Sequence, residues 1–376
     1  MMKKLVLTIC ALMLTFAAPL AALEWGGLIT NDTGIETPDF SNITFKQSDA
    51  ISVWFKTPID EEGDFVVSGE LLYKFSLTKP KSIDAIITQL FDVTLLKVAG
   101  EIEAGNGILS LNAGRFSYVD NTGAIISHTV DGVSVDYAMS LVKIGAFAGY
   151  TGLLNSLNGT VYSAGKNADF YDLSYGFAPL GVSVEFPYLP ANMSLGIQGF
   201  AILDCGDNVV KTNTYYADLA LSGPVTNNIY YSLSTVLGST DFKDLSNFSA
   251  ASLLVFPTEE VSVNAGVEFG SAADGTLSTY YSVLSSKAGE AAASICPKLG
   301  LTYGTDIMCF DLSGKYILGY DYINKKYDGS GAEINTGFVY NIFSDFQVGL
   351  SATAFFDATP AKSNRYTANL NIALAF

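Results

Sequence analysis

The 376-residue chain contains a single histidine, His128. That scarcity excludes the multi-histidine zinc centres of most metallohydrolases. Charge is scarce too. Asp, Glu, Lys and Arg make up 15% of the residues, against about 25% in ordinary soluble domains. Positive charge is the rarer sign, with 20 Lys and Arg against 37 Asp and Glu and a formal net charge of −17. A chain so acidic is a poor partner for nucleic acid, whose phosphates are gripped by Lys and Arg. It is equally unsuited to docking on an anionic lipid surface. Cysteines number four, and Cys10 lies in an N-terminal apolar run. Cys205, Cys296 and Cys309 remain, an odd count that gives no disulfide framework. Beyond that first run no stretch of about 18 uncharged apolar residues exists, so no helix is available to span a membrane. Yet the mean hydropathy is +0.30. The apolar residues must therefore be dispersed.

The N-terminus reads as a secretory leader. Met1-Met2-Lys3-Lys4 is a short positive segment, Leu5 to Ala18 is apolar, and Ala21-Ala22 offers small residues for cleavage. Residues 1–22 are set aside as signal peptide and 23–376 as one mature domain. Cys10 falls too early in the apolar run to be a lipoprotein cysteine. The leader holds two Lys and no acid, so its removal takes the formal charge from −17 to −19.

What the mature chain has in abundance is alternation. The C-terminal segment runs Arg365-Tyr366-Thr367-Ala368-Asn369-Leu370-Asn371-Ile372-Ala373-Leu374-Ala375-Phe376. Tyr366, Ala368, Leu370, Ile372, Leu374 and Phe376 share one face, and the other is small or polar. Such a strand suits lipid on one side and water on the other. Its closing aromatic resembles the C-terminal signature of bacterial outer-membrane β-barrels of the porin type. The resemblance implies that Tyr366 and Phe376 form an assembly signal read by the barrel-assembly machinery, with outer-membrane lipid around the barrel and a homotrimer as the oligomer.

The same period recurs from Leu23–Thr30 through Ile51–Lys56, Phe65–Leu77 and onward to Phe346–Ala354. Met308–Tyr320 is the most regular, with Met308, Phe310, Leu312, Gly314, Tyr316, Leu318 and Tyr320 on the lipid side. Leu96–Ala104, Leu109–Phe116 and Ser249–Phe256 are strands of ambiguous face. The total is about 18 antiparallel strands, with 16 as the next candidate. Connections alternate between short turns, such as Ala104–Gly107 and Asn341–Asp345, and long segments. The long ones include Asn31–Asp49, Ser117–Gly132, Thr151–Pro179, Gly270–Ala291 and Asp321–Gly331. Short turns on one rim and long loops on the other is the outer-membrane arrangement. Ser82–Phe91 reads alternatively as a short helix within a loop.

Little in the sequence carries chemistry, and no cofactor motif is found. His128 is placed in a loop between Ser127 and Asp131, and such close neighbours seldom form a catalytic triad. Gly149-Tyr150-Thr151-Gly152 lacks the lysine and helix of a phosphate cradle. Asp120-Asn121-Thr122-Gly123 begins like a calcium loop but lacks the later bidentate acid, and reads as a turn.

The informative side chains are the charges on the polar face: Lys56, Glu70, Lys74, Lys97, Glu101, Glu103, Asp136, Lys143, Glu185, Asp218, Glu268, Lys298, Asp311, Lys315, Glu333 and Arg365. A cation pointing at mid-depth lipid costs about 2–4 kcal/mol, so these groups belong in water. At about 18 strands side chains cannot fill the interior, which leaves an aqueous channel. In the general porins that the pattern resembles, the third long loop folds inward. The stretch Gly114-Arg115-Phe116 and the later Asp131-Gly132 are similar to sequences flanking that loop. This resemblance makes Arg115, Asp120, His128 and Asp131 the candidates for a constriction. The expectation is a passive diffusion channel for small hydrophilic solutes or ions with a modest cation preference. The rivals are a substrate-specific channel, an adhesin using the Thr151–Pro179 loop, a soluble sandwich, and a barrel enzyme resting on His128.

Overall fold

A computed structural model describes residues 23–38, 40, 42–151, 153, 176–206, 212–287, 292–358 and 364–376. The leader and most of Thr151–Pro179 lie outside the described residues. Eighteen strands follow one another: β1 (Glu24–Thr37), β2 (Thr44–Pro58), β3 (Phe65–Pro80), β4 (Ile86–Ala104), β5 (Gly107–Val119), β6 (Ser127–Ala138), β7 (Lys143–Tyr150), β8 (Phe177–Leu189) and β9 (Met193–Asp204). The series continues with β10 (Thr214–Thr226), β11 (Ile229–Thr240), β12 (Ser246–Val255), β13 (Val261–Gly270), β14 (Ser294–Gly304), β15 (Met308–Asp321), β16 (Lys326–Asn341), β17 (Phe346–Asp357) and β18 (Arg365–Ala375).

Each strand pairs antiparallel with its sequence neighbours, and β1 also pairs with β18. The sheet is therefore closed and no edge is left with unpaired backbone groups, the condition lipid imposes on a β structure. The closure is made by the last residue. The Phe376 amide donates to the Gly27 carbonyl (3.0 Å), and the Gly27 amide donates to the Phe376 carbonyl (2.9 Å). A Cβ on Gly27 would stand 2.3 Å from the Phe376 ring, so a glycine is required beneath it. Trp25 is two residues away on the same face.

Alternation sets the two surfaces. Leu312, Phe310 and Tyr316 on β15 are exposed on the outside, with Phe338 opposite Phe310. Asp311, Ser313 and Lys315 take the inside. Leu96–Ala104 and Leu109–Phe116 lie wholly in strands, and Ser249–Phe256 does so as far as Val255.

Several expected boundaries are corrected. The segment Asn31–Asp49 is mostly strand, because β1 runs to Thr37 and β2 begins at Thr44. Its polar residues hid the alternation. Asp321–Gly331 shrinks to a four-residue turn, since Tyr327 pairs with Tyr320 across it. Ser82–Phe91 is no helix: Ile86 onward pairs with β3. His128 and Asp131 lie in β6 and not in a loop, held opposite Tyr118 and Arg115.

Candidate functional site

The inner wall is built from the residues between the lipid-facing ones. Lys56 stands opposite Glu24, and Glu70 and Lys74 follow along β3. Lys97, Glu101 and Glu103 share the inward face of β4, where the Lys97 ammonium donates to Asn112 at 3.3 Å. Asp136 and Lys143 form an ion pair at 3.4 Å, with Glu185 opposite Lys143. On the far wall Lys298 meets Glu268 at 2.7 Å, Lys315 meets Glu333 at 3.2 Å, and Arg365 lies 5.8 Å from the Phe355 ring centre. Asp311 projects beside Gly337. These groups pair across neighbouring strands without crossing the lumen.

Two loops close part of the interior. The β5–β6 loop (120–126) is organised by Asp120, which is buried. One carboxylate oxygen accepts the amides of Ile125 (2.9 Å) and Ile126 (2.6 Å), and the other accepts the amide (2.9 Å) and hydroxyl (2.5 Å) of Thr122. Both oxygens are thus occupied by the loop's own donors, as the turn reading of this segment requires. The loop then crosses inside the barrel. The Asn121 amide donates to Gln198 on β9 (2.9 Å).

The β13–β14 loop (271–293) comes to meet it. Ile126 and Leu284 form a parallel bridge, and the Ser127 amide donates to the Leu284 carbonyl at 2.8 Å. Tyr280, Ser282 and Ser285 donate their hydroxyls to the carbonyls of Ala124 (3.0 Å), Ile125 (2.5 Å) and Gly123 (2.7 Å). The Lys287 ammonium donates to the Thr122 carbonyl at 2.8 Å, lies 3.8 Å from Glu268 and sits 5.3 Å from the Phe248 ring centre. Burial pushes the Tyr280 hydroxyl far above the ordinary tyrosine range. It therefore stays a donor.

Beneath the seam lies a dry cluster. Ala124, Ile125, Ile126, Tyr280 and Leu284 of the loops pack with Phe116, Val130, Phe147, Phe200, Ile202, Tyr216, Val236 and Phe248 of the wall. The wall residues come from β5 to β7 and β9 to β12. Loop and wall together fill that side of the lumen. A cavity of about 180 Å³ remains below the β5–β6 loop, lined by Tyr118, Asn121, Asp136, Lys143, Glu185 and Gln198 among others.

The four constriction candidates fall into three placements. Asp120 shapes the inward loop. Arg115 and Asp131 pair at 3.0 Å, with Asp92 at 3.8 Å, and Arg115 is buried. The kink at Gly114, whose φ is +123°, interrupts the alternation, so that Arg115 and Phe116 are both buried in succession. His128 stands opposite Tyr118 on β6, next to the loop but not in it. Asp218, on β10 opposite Gln198 and Val236, is buried with neither carboxylate oxygen hydrogen-bonded among the described residues. Sequence reasoning missed Tyr280, Ser282, Ser285 and Lys287. They act on carbonyls some 160 residues away, and no local pattern marks such contacts. Cys205, Cys296 and Cys309 are unpaired.

No family profile and no curated protein matches this chain. Its fold resembles that of solved Pseudomonas aeruginosa proteins, among them an outer membrane protein. The structure of Pseudomonas aeruginosa OpdK with vanillate superposes with a TM-score of 0.60 at 10% identity, covering 94% of this chain and 99% of that one. OccK2 (OpdF) from the same species, in complex with glucuronate, gives 0.58 at 12% identity, with 94% and 98% covered. The P. aeruginosa outer membrane protein OprD gives 0.55 at 10%, with 94% of each covered. The likeness extends over nearly the whole of this chain's closed barrel of 18 strands.

Proposed function

We propose that this chain is an outer-membrane channel that lets small hydrophilic solutes and ions diffuse passively. The observation that carries the reading is the open side of the lumen. There, from β14 through β18 and on through β3, inward Lys, Glu, Asp and Arg side chains line a wall that none of the described inward loop residues covers. Water is the only medium in which so many charges are cheap, and 18 strands enclose more space than side chains fill.

The leader, export, and recognition of Tyr366 and Phe376 by the assembly machinery belong to the same proposal, as does a homotrimeric state. Tyr366 stacks on Phe40 at 4.8 Å, and Phe376 closes the barrel at Gly27, so both stand where loss of an aromatic would weaken closure. Catalysis is not part of the proposal. His128 lies on a strand, and its register partner is a tyrosine.

A second reading, a substrate-specific channel, is favoured by the cavity beneath the β5–β6 loop. Its Asp136, Lys143 and Glu185 are arranged to hold a polar solute, and two similar barrels have been seen with vanillate and glucuronate. Swelling of liposomes carrying the folded protein distinguishes the readings. Passive diffusion predicts rates that fall smoothly with solute size. A selective channel predicts saturation by one solute. No swelling with any solute would overturn both.

A further inference from the structure

The cavity below the β5–β6 loop has a floor laid by one row of paired residues. Asp136 on β6 faces Gly145 on β7, Gly145 faces Ser183 on β8, and Ser183 faces Gln198 on β9. The next row carries Lys143, Glu185 and Gly196. Neighbouring strands are about 4.8 Å apart, so the floor from β6 to β9 is about 14 Å long.

Glycines keep this floor concave. A Cβ on Gly145 would collide with the Ser183 hydroxyl and an Asp136 oxygen, and one on Gly196 would collide with the Asn121 side-chain amide. The space so kept is about 180 Å³. Sites for drug-sized ligands measure roughly 300–1,000 Å³, so a solute held here is about the size of a single sugar ring.

The walls have hydrogen bonds to spare. Gln198 is 8% exposed, and its carbonyl oxygen accepts the Asn121 amide at 2.9 Å. Its own amide hydrogens have no partner among the described residues. Ser134, 7% exposed, accepts from Asn112 at 3.2 Å and donates to no described residue. Buried donors without acceptors are costly, and hydroxyl oxygens of a solute would satisfy them.

Charge in the lining is one-sided. Lys143 is the only cation among the described lining residues, and Asp136 already holds it at 3.4 Å. Glu185 stands opposite Lys143 in register and makes no ion pair among the described residues. The Asp120 carboxylate in the loop above adds the same sign. A solute carboxylate would have to displace Asp136 from Lys143 in the presence of Glu185. A solute ammonium finds Glu185 available. Clefts lined by one sign of charge concentrate the opposite sign.

We infer, on the selective-channel reading, that this cavity is a binding station for a hydroxylated amine without a carboxylate, an amino sugar in chemical class. Glu185 takes the ammonium, and Gln198, Ser183 and Ser134 take the hydroxyls.

The test adds glucosamine, glucose or glucuronate to folded protein in a planar bilayer and reads interruptions of the single-channel current. The three share one ring size and differ in charge. Glucosamine should interrupt the current saturably, at concentrations about tenfold below those glucose requires, the worth of one charge-assisted hydrogen bond. Glucuronate should be the weakest. Glu185→Gln should bring glucosamine to the level of glucose. Asp136→Asn releases Lys143 and should raise glucuronate above glucose. Glucuronate as strong as glucosamine in the parent would overturn the inference and leave a selective channel standing. A preference for glucosamine that survives intact in folded Glu185→Gln would overturn it as well, by placing the preference outside this cavity. If that variant does not fold, an order of solutes unchanged in Asp136→Asn contradicts the inference. If neither folds, the order in the parent decides alone. A current that no solute interrupts would refute the selective-channel reading together with the inference and leave passive diffusion standing. Silence from inserted protein would refute the channel itself.

Discussion

The two sides of the lumen obey different physics although the same alternation builds them. From β5 to β12 the inward residues include Val236 and Phe248, both with no exposure at all. They are covered by the loops that meet at Ile126 and Leu284. Across the barrel the inward Trp54 is 40% exposed, opposite Glu70, and its neighbours are charged. An inward position therefore means core on one side and solvent on the other. The difference is made by two loops, not by the strands.

Moving the same charge between surfaces has the largest expected effect. Val236→Arg places a cation in the dry cluster and should abolish folding or expel the loops, a cost of several kcal/mol, roughly what breaking a buried pair incurs. Ser313→Arg, inward on the open side, should fold and alter conductance. Leu312→Arg, one residue away but facing lipid, should fail at a cost of about 2–4 kcal/mol. Heat-modifiable migration reads all three. Equal behaviour at 312 and 313 would show that the register of β15 is wrong.

A smaller effect is expected from the loop itself. Asp120→Ala takes the acceptor from the amides of Ile125, Ile126 and Thr122, and water replaces it once the loop is freed, so the net cost falls to about 1 kcal/mol. The loop should leave the wall, and single-channel conductance should rise with added noise. Unchanged conductance from folded protein would mean that the seam does not limit the pore. Removal of Phe376 tests closure in the same range: surface levels should fall, because the reciprocal pair of bonds to Gly27 is lost.

Smaller still is Asp218→Asn. An unpartnered buried carboxylate is a liability that an amide lessens, so the variant should melt higher by the equivalent of about 1 kcal/mol. A lower melting point would show that Asp218 has a partner that matters. The slightest effect is on selectivity. Glu333→Gln should reduce the preference for cations, and the preference of the parent should fade as salt shortens the screening length below about 10 Å. Reversal potentials under a KCl gradient measure both.

How much of this was legible in the residues follows from the range of each interaction. Strand faces were, because a period of two is local: Met308–Tyr320 states its own orientation. Phe376 was legible as the closing aromatic of the last strand's lipid face, whereas its pairing with Gly27 on the first strand comes from the fold. The extent of β1 and β2 was not legible, because Asn31, Gln47 and Asp49 replace apolar residues on the outer face and read as loop. The seam was invisible for a different reason. Tyr280, Ser282 and Lys287 act on backbone carbonyls, which carry no residue identity. Of the constriction candidates, Asp120 was found for the flanking pattern, while its role through four bonds within its own loop emerges only from the fold.

On the proposed function, water runs through the open side of the lumen while the loops seal the other. Single-channel recording of folded protein in a planar bilayer tests it most directly. Discrete ohmic steps are expected from the parent and larger steps from Asp120→Ala. Silence from protein shown to be folded and inserted would contradict it.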